Sequence, residues 1–200
     1  MKSGRAVKGM LLFPGAGTGC DHPSLVHLET SLAPLPVRRA DFAYRQAGKR
    51  APDRPPVLLE TVRTEAASLA TSLRTKTSRL VLGGRSMGGR MCTMAAAGAT
   101  PGDPGDAPLA VAGLVLICYP LHPPGKPENL RVEHLLRLTV PCLFISGTRD
   151  AFATPAELEH WTATIPGPVT HVWAEGKGHD LKGCDSLIAD AVTAWLPTVT

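Results

Sequence analysis

Two spacings of apolar residues run through the 200-residue chain. Unbroken apolar runs occupy residues 9–13, 80–84, 111–118 and 142–146, with weaker ones at 36–42 and 170–174. Short runs that are apolar at every position predict strands buried on both faces of a parallel sheet. Between them, apolar residues recur every three or four positions: Leu25, Leu28 and Leu32; Leu58, Val62, Ala66, Leu69 and Leu73; Leu158, Trp161 and Ile165. That spacing places each set on one helix face, with Glu60, Arg63 and Arg74 outside the stripe. Residues 87–97 are small or apolar almost all round, which predicts a helix buried against the sheet. A short helix is expected around 132–138 and a last one over 186–195.

Start and stop signals agree with this division. Asp21 is the expected cap of the first helix, with Pro23 in its first turn. Thr154-Pro155-Ala156-Glu157 reads as a capping box with proline at the first helical position. Residues 46–56, 100–106 and 119–128 are rich in Pro, Gly or charge and read as loops. Strand, loop and helix alternate about six times with no linker and no internal repeat. The expectation is one doubly wound α/β domain over residues 1–200 with a mostly parallel sheet.

Composition narrows the function classes. An apolar content of 44% suits a single sizeable core. The net charge is +4, but Lys and Arg are scattered without a long run, so no nucleic-acid partner is expected. The start at 1–5 is basic, yet the apolar stretch Met10-Leu11-Leu12-Phe13 stops at Pro14, too short for a secretory signal or a membrane span. Five cysteines with no C-x-x-C pair suit a reducing cytoplasm and no structural disulfide. Neither H-E-x-x-H nor a Cys/His cluster occurs, so no metal site is expected.

The chemistry gathers at strand ends, where ligands collect in such sheets. The strand at 80–84 runs into Gly84-Arg85-Ser86-Met87-Gly88, a nucleophile-elbow pattern with strand before and helix after. The sharp turn needs small residues two before and two after the serine, and glycine satisfies both. Asp150 follows the strand at 142–146 and His179 follows that at 170–174. A serine hydroxyl needs an imidazole to take its proton, and the imidazole needs a carboxylate to fix its tautomer. His179 is therefore the expected base and Asp150 its orienter. The backbone N–H groups of Met87 and Ala16 are the expected oxyanion donors.

Alternatives stand beside these assignments. Asp180 adjoins His179 but would have to fold back on it. His122 also follows a strand, yet it precedes Asp150 and breaks the Ser…Asp…His order. Cys118 ends a strand without elbow glycines and reads as a buried thiol. Arg85 and Arg90 either bind an anionic substrate or pair with surface acids, the second being the plainer reading.

The chain resembles small α/β-hydrolases of the dienelactone-hydrolase-like kind. Gly83-Gly84-Arg85-Ser86-Met87-Gly88-Gly89-Arg90 and Tyr119-Pro120-Leu121-His122-Pro123-Pro124-Gly125-Lys126-Pro127 resemble a narrower branch. That branch holds bacterial hydrolase-like proteins and a subunit of the eukaryotic non-specific-lethal acetyltransferase complex. The resemblance runs from about Gly9 to Trp195 and implies a Ser86–Asp150–His179 triad, no cofactor and a poorly defined substrate. One departure is that many superfamily members have His-Gly where this chain has Phe13-Pro14-Gly15.

The expected activity is hydrolysis of a small acyl or ester substrate through a serine acyl-enzyme. An acyltransferase or thioesterase using the same triad, and a binding protein with a vestigial triad, are the alternatives. Larger hydrolases insert a lid between the strands at 111–118 and 142–146. Here that segment is only about two dozen residues, so an open pocket is expected. Its expected walls are Gly15 and Gly17 on one side and Tyr119, Leu121, His122 and Pro123 on the other.

Overall fold

A computed structural model describes residues 6–103 and 106–199. The basic start at 1–5 and the middle of the loop expected at 100–106 lie outside the described residues. Six strands form one parallel sheet: β1 (Gly9–Phe13), β2 (Val37–Arg39), β3 (Leu80–Arg85), β4 (Gly113–Ile117), β5 (Cys142–Gly147) and β6 (Val169–Ala174). Their order is β2-β1-β3-β4-β5-β6, and every neighbouring pair is parallel. The helices are α1 (Pro23–Ser31), α2 (Ala43–Gln46), α3 (Pro55–Ser72), α4 (Met87–Ala97), α5 (Pro155–Thr162) and α6 (Asp185–Trp195).

Alternate residues of β1 feed two cores. Met10 and Leu12 pack with Leu25 and Leu28 of α1 and with Ile188, Val192 and Trp195 of α6. Leu11 and Phe13 face the opposite layer, with Leu58, Val62, Ala66 and Leu69 of α3 and Met91 and Cys92 of α4. Both faces are covered, so β1, β3, β4 and β5 are buried at every position. That is the physical origin of the unbroken apolar runs.

Several boundaries move for local reasons. The second strand is confined to Val37–Arg39 because Arg38 and Arg39 reach outward to Glu65 (3.5 Å) and Glu29 (2.6 Å). Phe42 then turns into the core and precedes α2, a short helix without a clear spacing signal. His22, not Asp21, caps α1, its Nδ1 accepting from the Ser24 amide at 3.3 Å. The helix expected at 132–138 is a single 3-10 turn, Leu135–Arg137. The capping box at Thr154 and Glu157 is present with both of its reciprocal bonds. The segment between β4 and β5 carries that one turn and adds no lid layer. No helix among the described residues is long and apolar enough to cross a membrane.

Candidate active site

Strand β3 delivers Ser86 to the sheet's carboxyl edge. Ser86 takes φ 47° and ψ −115° between the strand and α4, a left-handed twist that a serine adopts only when its surroundings hold it. Its amide donates to the Ile117 carbonyl at 2.8 Å, locking the turn to β4. A Cβ at Gly84 would collide with the Phe13 carbonyl, and one at Gly88 would lie 2.5 Å from the same oxygen. The two elbow glycines thus let β1 pass close beside the turn.

Two further loops converge on Ser86. His179 Nε2 lies 2.9 Å from Ser86 Oγ, and Nδ1 lies 2.9 and 2.8 Å from the two oxygens of Asp150. With the Nδ1–H donated to the carboxylate, Nε2 is left to accept from the serine hydroxyl. The Asp150 side chain is fully buried, and its Oδ1 also accepts from the Phe152 amide at 2.8 Å. The Phe152 ring stacks on His179. Gly147, which the sequence did not single out, makes this meeting possible. A Cβ there would strike the Lys177 carbonyl, and the Arg149 amide donates to that carbonyl at 2.9 Å.

A family model described as an alpha/beta hydrolase domain matches residues 6–190. The chain belongs to the alpha/beta hydrolases. Solved structures share its fold at low identity. Est1E from Butyrivibrio proteoclasticus aligns with TM-score 0.73 and 14% identity, over 98% of this chain and 90% of that one. Dienelactone hydrolase from Anabaena variabilis gives 0.68 and 16%, over 98% and 88%. A serine hydrolase without lid from Xanthomonas campestris gives 0.63 and 20%, over 98% and 86%.

In this alpha/beta hydrolase, Ser86 and His179 open onto a cavity of about 640 Å³ that Gly15, Ala16, Gly17 and Met87 also line. Met87 opens α4, where the amide has no acceptor within the helix. The Ala16 peptide is steadied by the Tyr44 hydroxyl, which donates to its carbonyl at 2.8 Å.

The opposite wall differs from the sequence expectation. Tyr119, Leu121 and His122 are buried away from the cavity. The Tyr119 hydroxyl lies 3.2 Å from Thr93 Oγ1 and 3.0 Å from His134 Nε2, and its ring stands edge-on to Phe144. Leu121 is fully enclosed in the core, and His122 Nδ1 sits 2.9 Å from the Pro123 carbonyl. Pro123 is not among the lining residues either. The chain leaves β4 through Cys118 at φ 53°, and this reversal turns Tyr119 inward and leaves Pro120 at the cavity. Residues from the supposed exposed loop at 46–56, Pro52, Asp53 and Pro55, complete the wall together with Phe152 and Arg131.

The alternative residues each have contacts of their own. Asp180 Oδ1 accepts from the Lys182 amide and makes no bond to the His179 ring. His122 Nε2 faces Glu157 at 3.6 Å. Cys118 lies close to Asp150 and His179, but burial pushes its thiol up to about 12, which keeps it protonated and poorly nucleophilic. Among the described residues, Arg85 pairs with no surface acid. It is buried and donates to the carbonyls of His179 (3.3 Å) and Asp180 (2.9 Å).

Proposed function

We propose that the protein hydrolyses a carboxylic ester or a related acyl bond through a covalent intermediate on Ser86. The observation that carries this reading is the continuous bond line from Ser86 Oγ through the His179 ring to Asp150, with separations of 2.9 and 2.8 Å. His179 takes the hydroxyl proton as Ser86 attacks the acyl carbon, then gives it to the departing alcohol. Asp150, buried and acceptor-only when ionised, stabilises the imidazolium between those steps. The amides of Met87 and Ala16 stabilise the oxyanion, where loss of one donor typically costs about 3–4 kcal/mol. Water activated by His179 then releases the acid.

The open cavity suits a small or accessible acyl group. The motifs around Ser86 and Tyr119 support a narrower place near the non-specific-lethal complex subunit, a setting in which a scaffold role would show as an unreactive Ser86. Labelling with a fluorophosphonate probe separates the two. Wild type is expected to label, and Ser86→Ala is not. Equal labelling of both would overturn the nucleophile assignment. A series of p-nitrophenyl esters beside acyl thioesters, with and without alcohol acceptors, reads substrate class and distinguishes hydrolysis from transfer.

A further inference from the structure

Among the described residues, Arg90 carries a charge that no carboxylate meets in an ion pair. It lies one helical turn after Ser86, its amide donating to the Ser86 carbonyl at 3.1 Å, and it lines the same cavity. Its Nε is buried without a hydrogen-bond partner. Arg131, from the irregular segment between β4 and β5, lines the cavity as well. Among the described residues neither guanidinium forms an ion pair, whereas Arg38, Arg39 and Arg63 all find carboxylates. Burial works most strongly against the protonated form of Arg90; Tyr119 favours that form, the Arg131 charge opposes it, and Glu133 favours it more weakly.

The acids around the cavity do not supply the missing partner. Asp150 is held by His179 and the Phe152 amide. Asp180 accepts from the Lys182 amide, and Asp53, though it lines the cavity, pairs with neither arginine. A desolvated guanidinium without an anion is costly, and such a cost persists where a ligand recovers it. Two arginines lining one cavity suit a carboxylate, whose two oxygens match the forked N–H donors of a guanidinium.

We propose that the substrate is an ester carrying a separate carboxylate, which Arg90 and Arg131 hold while its acyl carbonyl rests on Ser86. This rests on the hydrolase reading above. The rise of one helical turn, about 5.4 Å, sets the scale between Ser86 and Arg90, so the carboxylate lies a few bonds from the scissile carbonyl. Hydrolysis adds water across the ester, giving one alcohol and one new acid, and leaves that carboxylate unchanged.

Two substrate pairs test this. In 4-acetoxybenzoate and its methyl ester the charge sits on the leaving group, and in monoethyl and diethyl adipate on the acyl group. Within at least one pair, kcat/KM is expected to favour the carboxylate about tenfold or more, chiefly through KM. Arg90→Gln and Arg131→Gln should each bring that ratio towards one, and Arg90→Lys should keep part of it. Ratios at or below one in both pairs, or a ratio that survives both glutamine variants, overturn the proposal. A binding arm is independent of turnover. Titration of 4-acetoxybenzoate and monoethyl adipate into Ser86→Ala protein should show affinity for one of them that weakens about tenfold with either glutamine substitution added. If labelling of Ser86 fails while this binding is seen, the subsite stands and the hydrolase reading falls. If labelling succeeds and binding ignores both arginines, the subsite falls alone. Should Arg90→Gln not fold, Arg131→Gln, outside any helix or strand, decides the same question.

Discussion

Phe152 touches both partners of Ser86: its ring lies 3.9 Å from the His179 ring, centroid to centroid at 26°, and its amide donates to Asp150 Oδ1. The ring covers one face of the imidazole and restricts its tilt, so Nε2 stays aimed at Ser86. Phe152→Ala removes the ring but keeps the amide bond to Asp150. We expect kcat on a simple ester to fall roughly ten- to a hundredfold, the range that small misplacements of reacting groups produce. Phe152→Leu should recover part of it. An unchanged kcat would mean that the Asp150 bond alone orients His179.

His134 gives the protein an acid-side weakness of its own. It is buried, with Nε2 2.8 Å from Thr93 Oγ1 and 3.0 Å from the Tyr119 hydroxyl, and burial lowers its pKa from 6.5 to about 3. The folded state therefore binds fewer protons here than the unfolded state between those two values. Its contribution is fully present above pH 6.5 and is lost as pH falls towards 3, at no more than about 1.4 kcal/mol per pH unit. His134→Gln keeps a polar partner for Thr93 without titrating. Chemical denaturation at pH 7, 5.5 and 4 should show the gap between wild type and this variant narrowing as pH falls. His22 and His171, lowered by burial in the same sense, leave the variant a residual slope.

The strand positions and the convergence of Ser86, Asp150 and His179 were legible because each depends on local signals. Runs such as Leu80–Leu82 announce burial on two faces, and Gly84 and Gly88 announce the tight turn. The order of strand ends then allows Asp150, His179 and Ser86 to meet. The cavity wall was not legible. Polarity is shared by a solvent-exposed loop and by a loop that edges a cavity, so residues 52–55 gave no separate signal. The inward turn of Tyr119 depends on the backbone reversal at Cys118, which leaves no trace in side-chain pattern. Gly147 reads as an ordinary strand-end glycine until the Lys177 carbonyl is seen against it.

The elbow glycines yield a stability prediction with an internal control. Phe13 pairs with Gly84 across β1 and β3, and a Cβ at Gly84 would meet the Phe13 main chain, which has no rotamer with which to yield. Gly84→Ala should destabilise by about 1–3 kcal/mol or more. For a domain of this size, that corresponds to a Tm lower by roughly 2–12 °C. Gly17, in the loop after β1, has open space around it. Gly17→Ala should stay within about 0.5 kcal/mol of wild type. Calorimetry on both variants checks the contrast, and equal melting temperatures would contradict it.

Arg85 ties the strand that delivers Ser86 to the loop that carries His179. It ends β3 directly before Ser86, is only 6% exposed, and reaches the Ser24 hydroxyl as well as the carbonyls of His179 and Asp180. One guanidinium thus spans helix α1 and the loop after β6, a reach that lysine's single nitrogen does not reproduce. Without it, two carbonyls lose their donor and the loop that carries His179 is held mainly through Lys177 and Asp150. Arg85→Lys should therefore lower kcat roughly ten- to a hundredfold. Amide hydrogen exchange over residues 176–182 should quicken while β3 and β4 stay protected. A purely structural role for Arg85 predicts the reverse: a lower Tm with exchange rising evenly through the core and kcat of the folded fraction intact.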